Sequence, residues 1–163
     1  MVIARRILVV VFLAACQAMA VTPVFAAESL AVRYGLMLDG KDFHGYSELF
    51  SRDAVWIGGF GTHRTPAGIE AMLVKYMGPA APGTRNKDSF HLLTNEIITV
   101  RGDRATSVSK LIFYTKGPEG KPVPQMAGHY DDEFIREDGH WKFLRRVAQG
   151  DIPYMDPLIE NKP

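Results

Sequence analysis

The sequence has a single cysteine, Cys16, which lies near the N-terminus. A chain with one thiol can form no internal disulfide, and beyond residue 26 it has neither a cysteine nucleophile nor a thiolate ligand for a metal. The stability of the fold must therefore come from packing of the apolar residues, which make up 47% of the chain.

Other signals are also missing. The formal net charge is only +1, so electrostatics do not favour nucleic acid or an anionic membrane as a partner. The sequence has no Gly-x-Ser-x-Gly elbow, no phosphate-binding loop and no dinucleotide fingerprint. Its 5 histidines show neither an H-x-H pair nor helical i, i+4 spacing. We therefore expect no cofactor and no metal ion.

The N-terminal segment has the pattern of a secretory signal. Residues 1–6 are basic, residues 7–15 are apolar, and residues 24–26 (VFA) form a small-x-small cleavage site. This predicts a signal peptide over 1–26 and an exported protein, periplasmic or secreted. Residues 13–16 (LAAC) also resemble a lipobox, in which Cys16 would carry a lipid anchor to the membrane. Cleavage after Ala26 is the favoured alternative.

Cleavage at that point leaves 137 residues, the size of one domain with a real core. It removes Arg5 and Arg6 but no acidic residue, so the net charge changes from +1 to −1. We predict one domain over residues 27–150, followed by a surface tail over 151–163 that contains three of the prolines.

Helices are predicted in the first half of the domain. Residues 28–38 and 41–50 carry apolar side chains at helical spacing, and Thr65 before Pro66 is typical of a helix start. A short strand is expected at residues 54–57. Helices followed by long antiparallel strands predict an α+β fold, in which the helices cover one face of the sheet.

The strongest strand signal is a predicted hairpin over residues 126–147, with a two-residue turn at Asp138-Gly139. Counting outward from this turn pairs Asp132 with Arg145. The same register pairs Tyr130 with Val147. Asp132 and Arg145 would then form a buried pair or line a pocket, whereas a bulge before Arg145 would turn Arg146 inward instead. The face expected under the helices carries Tyr130, Phe134, Trp141 and Phe143.

A second predicted hairpin turns at Gly102-Asp103. A two-residue turn there pairs Val100 with Ala105 and Ile97 with Val108. Further out it pairs Asn95 with Lys110 and His91 with Tyr114.

The chain resembles a known family at several stretches: residues 31–34 (AVRY) with Asp39, residues 48–56 (ELFSRDAVW), 68–72 (GIEAM), 91–95 (HLLTN), 102–106 (GDRAT) and the hairpin from 128 to 146. These are similar to the SnoaL-like group of the nuclear transport factor two superfamily. The resemblance implies a cone-shaped α+β fold. This fold hosts dehydratases, isomerases, cyclases, epoxide hydrolases, dioxygenase subunits and non-catalytic binders, so it does not fix the function.

The resemblance also implies a site. In the branch that includes scytalone and bile-acid dehydratases, a tyrosine and an aspartate from the first helix meet a histidine from the sheet. Tyr34, Asp39 and His91 match those positions. The branch tends to place a histidine or an aspartate opposite that histidine, and here Tyr114 is the expected residue.

These residues suit proton abstraction next to a carbonyl, with His91 as base and Asp39 as its orienting partner. Tyr34 and Tyr114 could donate to the developing oxyanion. The candidate catalytic residues are thus Tyr34, Asp39 and His91, and the candidate substrate-binding residues are Trp56, Phe60, Asn95, Tyr114, Met126, Tyr130, Asp132 and Arg145.

The leading hypothesis is an exported, cofactor-free lyase or isomerase that acts on a small apolar carbonyl or hydroxy compound. The alternative is a non-catalytic module of the same fold that binds a small apolar ligand or dimerises. The resemblance also predicts a homodimer, because sheet-to-sheet dimers are common in the superfamily.

Overall fold

The computed structural model describes residues 23–81, 83–84 and 86–155, with side chains described from residue 30 onward. Cys16 and most of the predicted signal peptide lie outside the described residues, as does the end of the predicted tail. Within the described residues, no helix combines the length and apolar character that a membrane crossing requires.

The helices are α1 (Pro23–Asp39), α2 (Phe43–Ser47) and α3 (Thr65–Met77). The strands are β1 (Phe50–Gly58), β2 (Gly61–Arg64), β3 (Ser89–Arg101), β4 (Arg104–Lys116), β5 (Pro122–Glu137), β6 (His140–Ile152) and β7 (Tyr154–Met155). The predicted first helix is confirmed. The predicted tail begins within the sheet, because β6 continues to Ile152 and β7 pairs with it.

The second helix is much shorter than predicted. It begins at Phe43, after the N-cap Asp42, whose carboxylate accepts a hydrogen bond from the Gly45 N–H at 2.9 Å. It ends at Ser47, and the Leu49 carbonyl accepts a hydrogen bond from the Phe143 N–H of β6 at 2.9 Å. Backbone pairing with β6 therefore draws the chain into β1 at Phe50, four residues before the predicted strand.

The strands form one 7-stranded sheet in the order β2-β1-β6-β5-β4-β3, with β7 beside β6. All pairings are antiparallel except that of β1 with β6. Helix α1 packs on β3 and β6, and α3 packs on β1. The α+β architecture with helices on one face is thus confirmed. The face predicted to be covered is buried at all four aromatic positions: Tyr130, Phe134, Trp141 and Phe143.

The β5–β6 hairpin has the predicted turn, with Asp138 at φ 50° and Gly139 at φ 81°. Its register holds as far as Phe134 opposite Phe143. A bulge then shifts the pairing, so that Asp132 lies opposite Arg146, and Tyr130 lies opposite Ala148. The predicted pairs of Asp132 with Arg145 and of Tyr130 with Val147 are therefore wrong. The bulge that the sequence left open is the observed arrangement.

The β3–β4 hairpin also contains a bulge. The inner pairs Val100–Ala105 and Ile97–Val108 are confirmed, but the register shifts between Thr94 and Ile97. The predicted pairing of Asn95 with Lys110 is wrong because Thr94 takes that place, while exposed Asn95 adopts φ 52°. One position of slip also makes Phe113 the partner of His91, so the predicted pairing of His91 with Tyr114 is wrong.

Apolar side chains are exposed on the strands at the β3 edge of the sheet. Ile97 is 74% exposed and its partner Val108 is 47% exposed. An apolar patch of this kind suits contact with another protein surface. The homodimer stays a prediction.

Candidate active site

An aspartate and a histidine meet where α1 ends against β3. Asp39 is the last residue of α1, and His91 is the third residue of β3. Oδ1 of Asp39 lies 2.7 Å from Nδ1 of His91, and Oδ2 accepts a hydrogen bond from the His91 backbone N–H at 3.0 Å. One carboxylate thus fixes both the backbone and the ring of the histidine. The predicted proximity of these two residues is present in the structure.

This geometry determines which nitrogen is free to act. An ionised carboxylate only accepts hydrogen bonds, so Nδ1 of His91 must carry the proton. In the neutral imidazole Nε2 then holds the lone pair, and it has no hydrogen-bond partner among the described residues. The two side chains are 19% and 15% exposed, so the pair is sheltered but reachable. The ring of Phe113 packs against the imidazole with centroids 4.7 Å apart.

A surface cavity of about 500 Å³ borders the pair on the side of Asp39. Tyr114 lines this cavity together with Phe90 of the neighbouring strand. The register shift in the β3–β4 hairpin moves Tyr114 from the predicted position opposite His91 to this cavity, which Asp39 also lines.

Tyr34 lies on the same helix as Asp39 but inside the aromatic core. It is 2% exposed, and its ring packs against those of Tyr46 and Tyr130 at 4.6 and 5.6 Å between centroids. Its hydroxyl oxygen accepts a hydrogen bond from Nε1 of Trp56 at 3.3 Å. Tyr34 makes no hydrogen bond to His91 among the described residues.

Beside Tyr34 lies a charged residue that sequence reasoning did not select. Arg146 is fully buried, and its guanidinium carbon lies 3.7, 4.1 and 4.2 Å from the ring centroids of Tyr34, Tyr130 and Phe143. Nε donates to Oδ1 of Asp132 at 2.7 Å, and Nη2 donates to the other carboxylate oxygen. Nη1 is buried without a hydrogen-bond partner. One guanidinium nitrogen is therefore left unpaired inside the domain.

Burial alone would lower the pKa of Arg146, but the adjacent Asp132 carboxylate outweighs burial and raises this pKa above its usual value. For Asp132, burial raises the pKa of the carboxyl, and the adjacent Arg146 guanidinium opposes this shift. The guanidinium is therefore a permanent cation. One sequence signal pointed to it: Leu144 directly after Phe143 breaks the apolar–polar alternation, as a bulge does.

The remaining candidate residues divide into two groups. Trp56, Tyr130 and Asp132 are buried, Met126 is half-buried against the core, and Phe60 is 40% exposed beside Trp56. Arg145 instead pairs with Glu133 at 3.6 Å, with both side chains substantially exposed. The structure does not bring Arg145 or Asn95 to the aromatic core around Tyr34.

No group of 3 or more histidine, cysteine, aspartate or glutamate side chains is arranged to hold a metal ion among the described residues. The ionisable groups near α1 are instead a histidine with one carboxylate and an arginine with another. Such a set is suited to moving a proton and stabilising negative charge.

The comparisons with known proteins agree with this architecture. The model of the SnoaL-like domain family matches residues 26–147. No curated protein matches the sequence at a significant level.

Several solved structures share the fold. An NTF2-like protein with a cystatin-like fold from Novosphingobium aromaticivorans is 25% identical, with a TM-score of 0.67 over 77% of this chain and 79% of that one. LinA is 24% identical, with a TM-score of 0.65 over 86% and 93%. A putative scytalone dehydratase from N. aromaticivorans is 22% identical, with a TM-score of 0.62 over 78% and 83%.

The matched segment spans α1 to β6 and includes Tyr34, Asp39, His91, Asp132 and Arg146. The chain therefore belongs to the SnoaL-like domain family of the NTF2-like superfamily.

Proposed function

We propose that this protein is a cofactor-free lyase or isomerase, in which His91 removes a proton from a carbon next to a carbonyl group. The observation that carries the proposal is the two-point contact of Asp39 with His91. It orients the ring so that, in the neutral imidazole, Nε2 is the acceptor that a general base requires.

In the first step, Nε2 of His91 takes the proton, and the electron pair of the C–H bond moves towards the carbonyl oxygen. The ring becomes an imidazolium, which the Asp39 carboxylate stabilises through Nδ1. In an isomerase, the same proton returns to a different carbon. In a lyase, the imidazolium gives it to a departing hydroxide, which leaves as water. Neither route needs an oxidant or a second substrate.

Arg146 is the residue best suited to the negative charge that develops on oxygen. Its unpaired Nη1 is a charged donor that is already desolvated and fixed by Asp132 and the surrounding rings. A preorganised donor in a water-poor site stabilises such charge more than an exposed one would. Tyr34 then acts by holding the guanidinium and Trp56 in place.

The proposed substrate is small and largely apolar, because aromatic residues dominate the interior around Tyr34. Loss of water from a hydroxy compound is consistent with the name of one structural relative, a putative scytalone dehydratase. The substrate of this chemistry carries a carbonyl group, which accepts the electron pair of the C–H bond, and in the lyase route also a hydroxyl group, which leaves as water.

The test is exchange of protons for deuterons at the carbon next to the carbonyl, followed by proton NMR in D₂O with a panel of cyclic ketones. His91→Gln and Asp39→Asn are compared with His140→Gln, which removes an exposed histidine at the start of β6. We expect His91→Gln to slow exchange by about 100-fold or more, and His140→Gln to leave it unchanged.

Equal rates for wild type and His91→Gln across the panel would overturn the proposal. If ketones still bound under those conditions, the second hypothesis, a non-catalytic module for small apolar ligands, would take its place.

We also propose that the protein acts outside the cytoplasm, from the pattern of residues 1–26. Mass spectrometry of the protein recovered from cells tests this. A mature N-terminus at Ala27 is expected, an acylated Cys16 would show a lipoprotein, and an intact Met1 would contradict export.

A further inference from the structure

Three aromatic rings are stacked from the core to the surface between the β1–β2 turn and α3. Phe60 lies between Trp56 and Tyr76, with ring centroids 6.1 Å from the first and 4.5 Å from the second. The interplanar angles are 20° and 8°, so the rings are nearly parallel. Trp56 is 6% exposed, whereas Phe60 and Tyr76 are 40% and 46% exposed. Phe60 thus occupies a flat-walled slot that opens to solvent.

The local sequence builds the inner wall of this slot. A Cβ at Gly58 would lie 2.5 Å from Cη2 of Trp56, so the indole can lie over the backbone only because residue 58 has no side chain. A Cβ at Gly59 would meet no atom within 4 Å, and Gly61 adopts φ 101°. The residue that fills the slot therefore sits on a turn between glycines, where a small change in φ and ψ would move it.

The inner wall is in contact with the proposed active site. Nε1 of Trp56 donates to the hydroxyl of Tyr34 at 3.3 Å. The Tyr34 ring in turn packs on the Arg146 guanidinium at 3.7 Å. A ring stacked on Trp56 would thus contact a residue that is hydrogen-bonded to Tyr34.

We propose that the space between Trp56 and Tyr76 binds a planar aromatic ring of the substrate, and that Phe60 fills this space until the substrate displaces it. The inference deepens the proposed function by naming the substrate class, and it rests on that function for the reaction that follows binding. Two nearly parallel aromatic walls accept a flat ring by offset stacking, but they fit a puckered saturated ring poorly.

The experiment compares two ketones that differ in planarity, 2-tetralone with an aromatic ring and 2-decalone without one. Dissociation constants are measured by calorimetry, and the Nε1–H signal of Trp56 is followed by NMR after assignment with Trp141→Phe, since the chain has 2 tryptophans. The variants are Phe60→Ala and Tyr76→Ala. Tyr154→Ala is the matched control, because Tyr154 is also an exposed aromatic residue but lies on β7.

Phe60→Ala removes the ring that fills the slot and should tighten 2-tetralone binding about fivefold. Tyr76→Ala removes the outer wall and should weaken this binding about fivefold. Tyr154→Ala should change neither constant, and 2-decalone should respond less than about twofold to every variant. Unchanged or weaker 2-tetralone binding in Phe60→Ala would overturn the proposal. An equal response of both ketones, or no shift of the Trp56 signal with 2-tetralone at millimolar concentration, would do so as well.

Ketone binding and proton exchange are both measured in the wild type and in His91→Gln, so that this inference and the proposed function can be judged separately. If 2-tetralone binding responds to the variants as expected but the wild type catalyses no proton exchange, only the proposed enzymatic function is contradicted. Proton exchange without the slot pattern would overturn the slot alone.

Discussion

Asp132 and Arg146 form an ion pair from which solvent is excluded, with Nε of Arg146 2.7 Å from Oδ1 of Asp132. The pair lies on neighbouring strands that a bulge brings into register. Asp132 also accepts a hydrogen bond from Ser107 at 3.5 Å. The carboxylate is therefore well satisfied, whereas the guanidinium keeps one unpaired nitrogen inside the domain.

Replacing Arg146 by Met should lower the free energy of unfolding by about 3–5 kcal/mol, because it leaves the Asp132 charge buried without a partner. The double variant Asp132→Leu/Arg146→Met should lose much less, since it buries no charge. Urea unfolding of the wild type, both single variants and the double variant measures this coupling. Additive losses would contradict the importance of the pair.

Gly58→Ala should destabilise the fold by about 1–3 kcal/mol, because the new methyl group would overlap the indole of Trp56. A Cβ at residue 58 would lie 2.5 Å from Cη2 and 3.0 Å from Cζ2 of that ring. Gly59→Ala is the matched control on the adjacent residue, where nothing lies within 4 Å. Thermal unfolding together with Trp56 NMR shifts distinguishes them. Equal stability of the two variants would show that the ring moves aside without cost.

Asp39→Asn should remove one of the two hydrogen bonds between this residue and His91. An amide can still accept the Nδ1–H, but its NH₂ group cannot accept the backbone N–H that now bonds to Oδ2. We expect a loss of about 1–2 kcal/mol in stability and a mixture of imidazole tautomers. Nitrogen chemical shifts of the His91 ring report the tautomer. Asp88→Asn, an exposed aspartate near the same cavity, should change neither measurement.

The pH dependence of stability should include a small contribution from Asp151. A hydrogen bond from His129 at 2.9 Å holds the pKa of Asp151 below its usual value of 3.8, with further help from Lys110. A carboxyl with a depressed folded-state pKa stabilises the fold above its unfolded pKa, and this stabilisation disappears as the pH falls through the folded value.

Asp151→Asn should therefore cost less than about 1 kcal/mol near pH 6, because the pair is partly exposed. The difference from wild type should shrink as the pH falls below 3.8 towards the folded-state pKa of Asp151, and it should also shrink in high salt. Unfolding curves at several pH values check this, with exposed Asp53→Asn as the control. A difference that stays constant as the pH falls below 3.8 would point to packing rather than charge.

Short-range patterns in the sequence were sufficient for much of the fold. The Asp138-Gly139 pair determined the β5–β6 turn, because both positions need positive φ. Alternation of apolar and polar residues placed Phe134 and Phe143 under the helices. The family resemblance was sufficient to predict that Asp39 and His91 lie together, although they are 52 positions apart in the sequence.

Only the tertiary structure decided the two bulges, and with them the composition of the site. Each bulge costs local pairing, and a gain made elsewhere must offset that cost. The bulge in the β5–β6 hairpin turns Arg146 towards Asp132 and three rings, while Arg145 stays at the surface. Local propensity contains no information on such a partner, because the partner is supplied by other strands and by α1. Sequence patterns and the family resemblance thus determined the turns, the covered face and the contact of Asp39 with His91, whereas long-range burial decided which arginine packs on Tyr34.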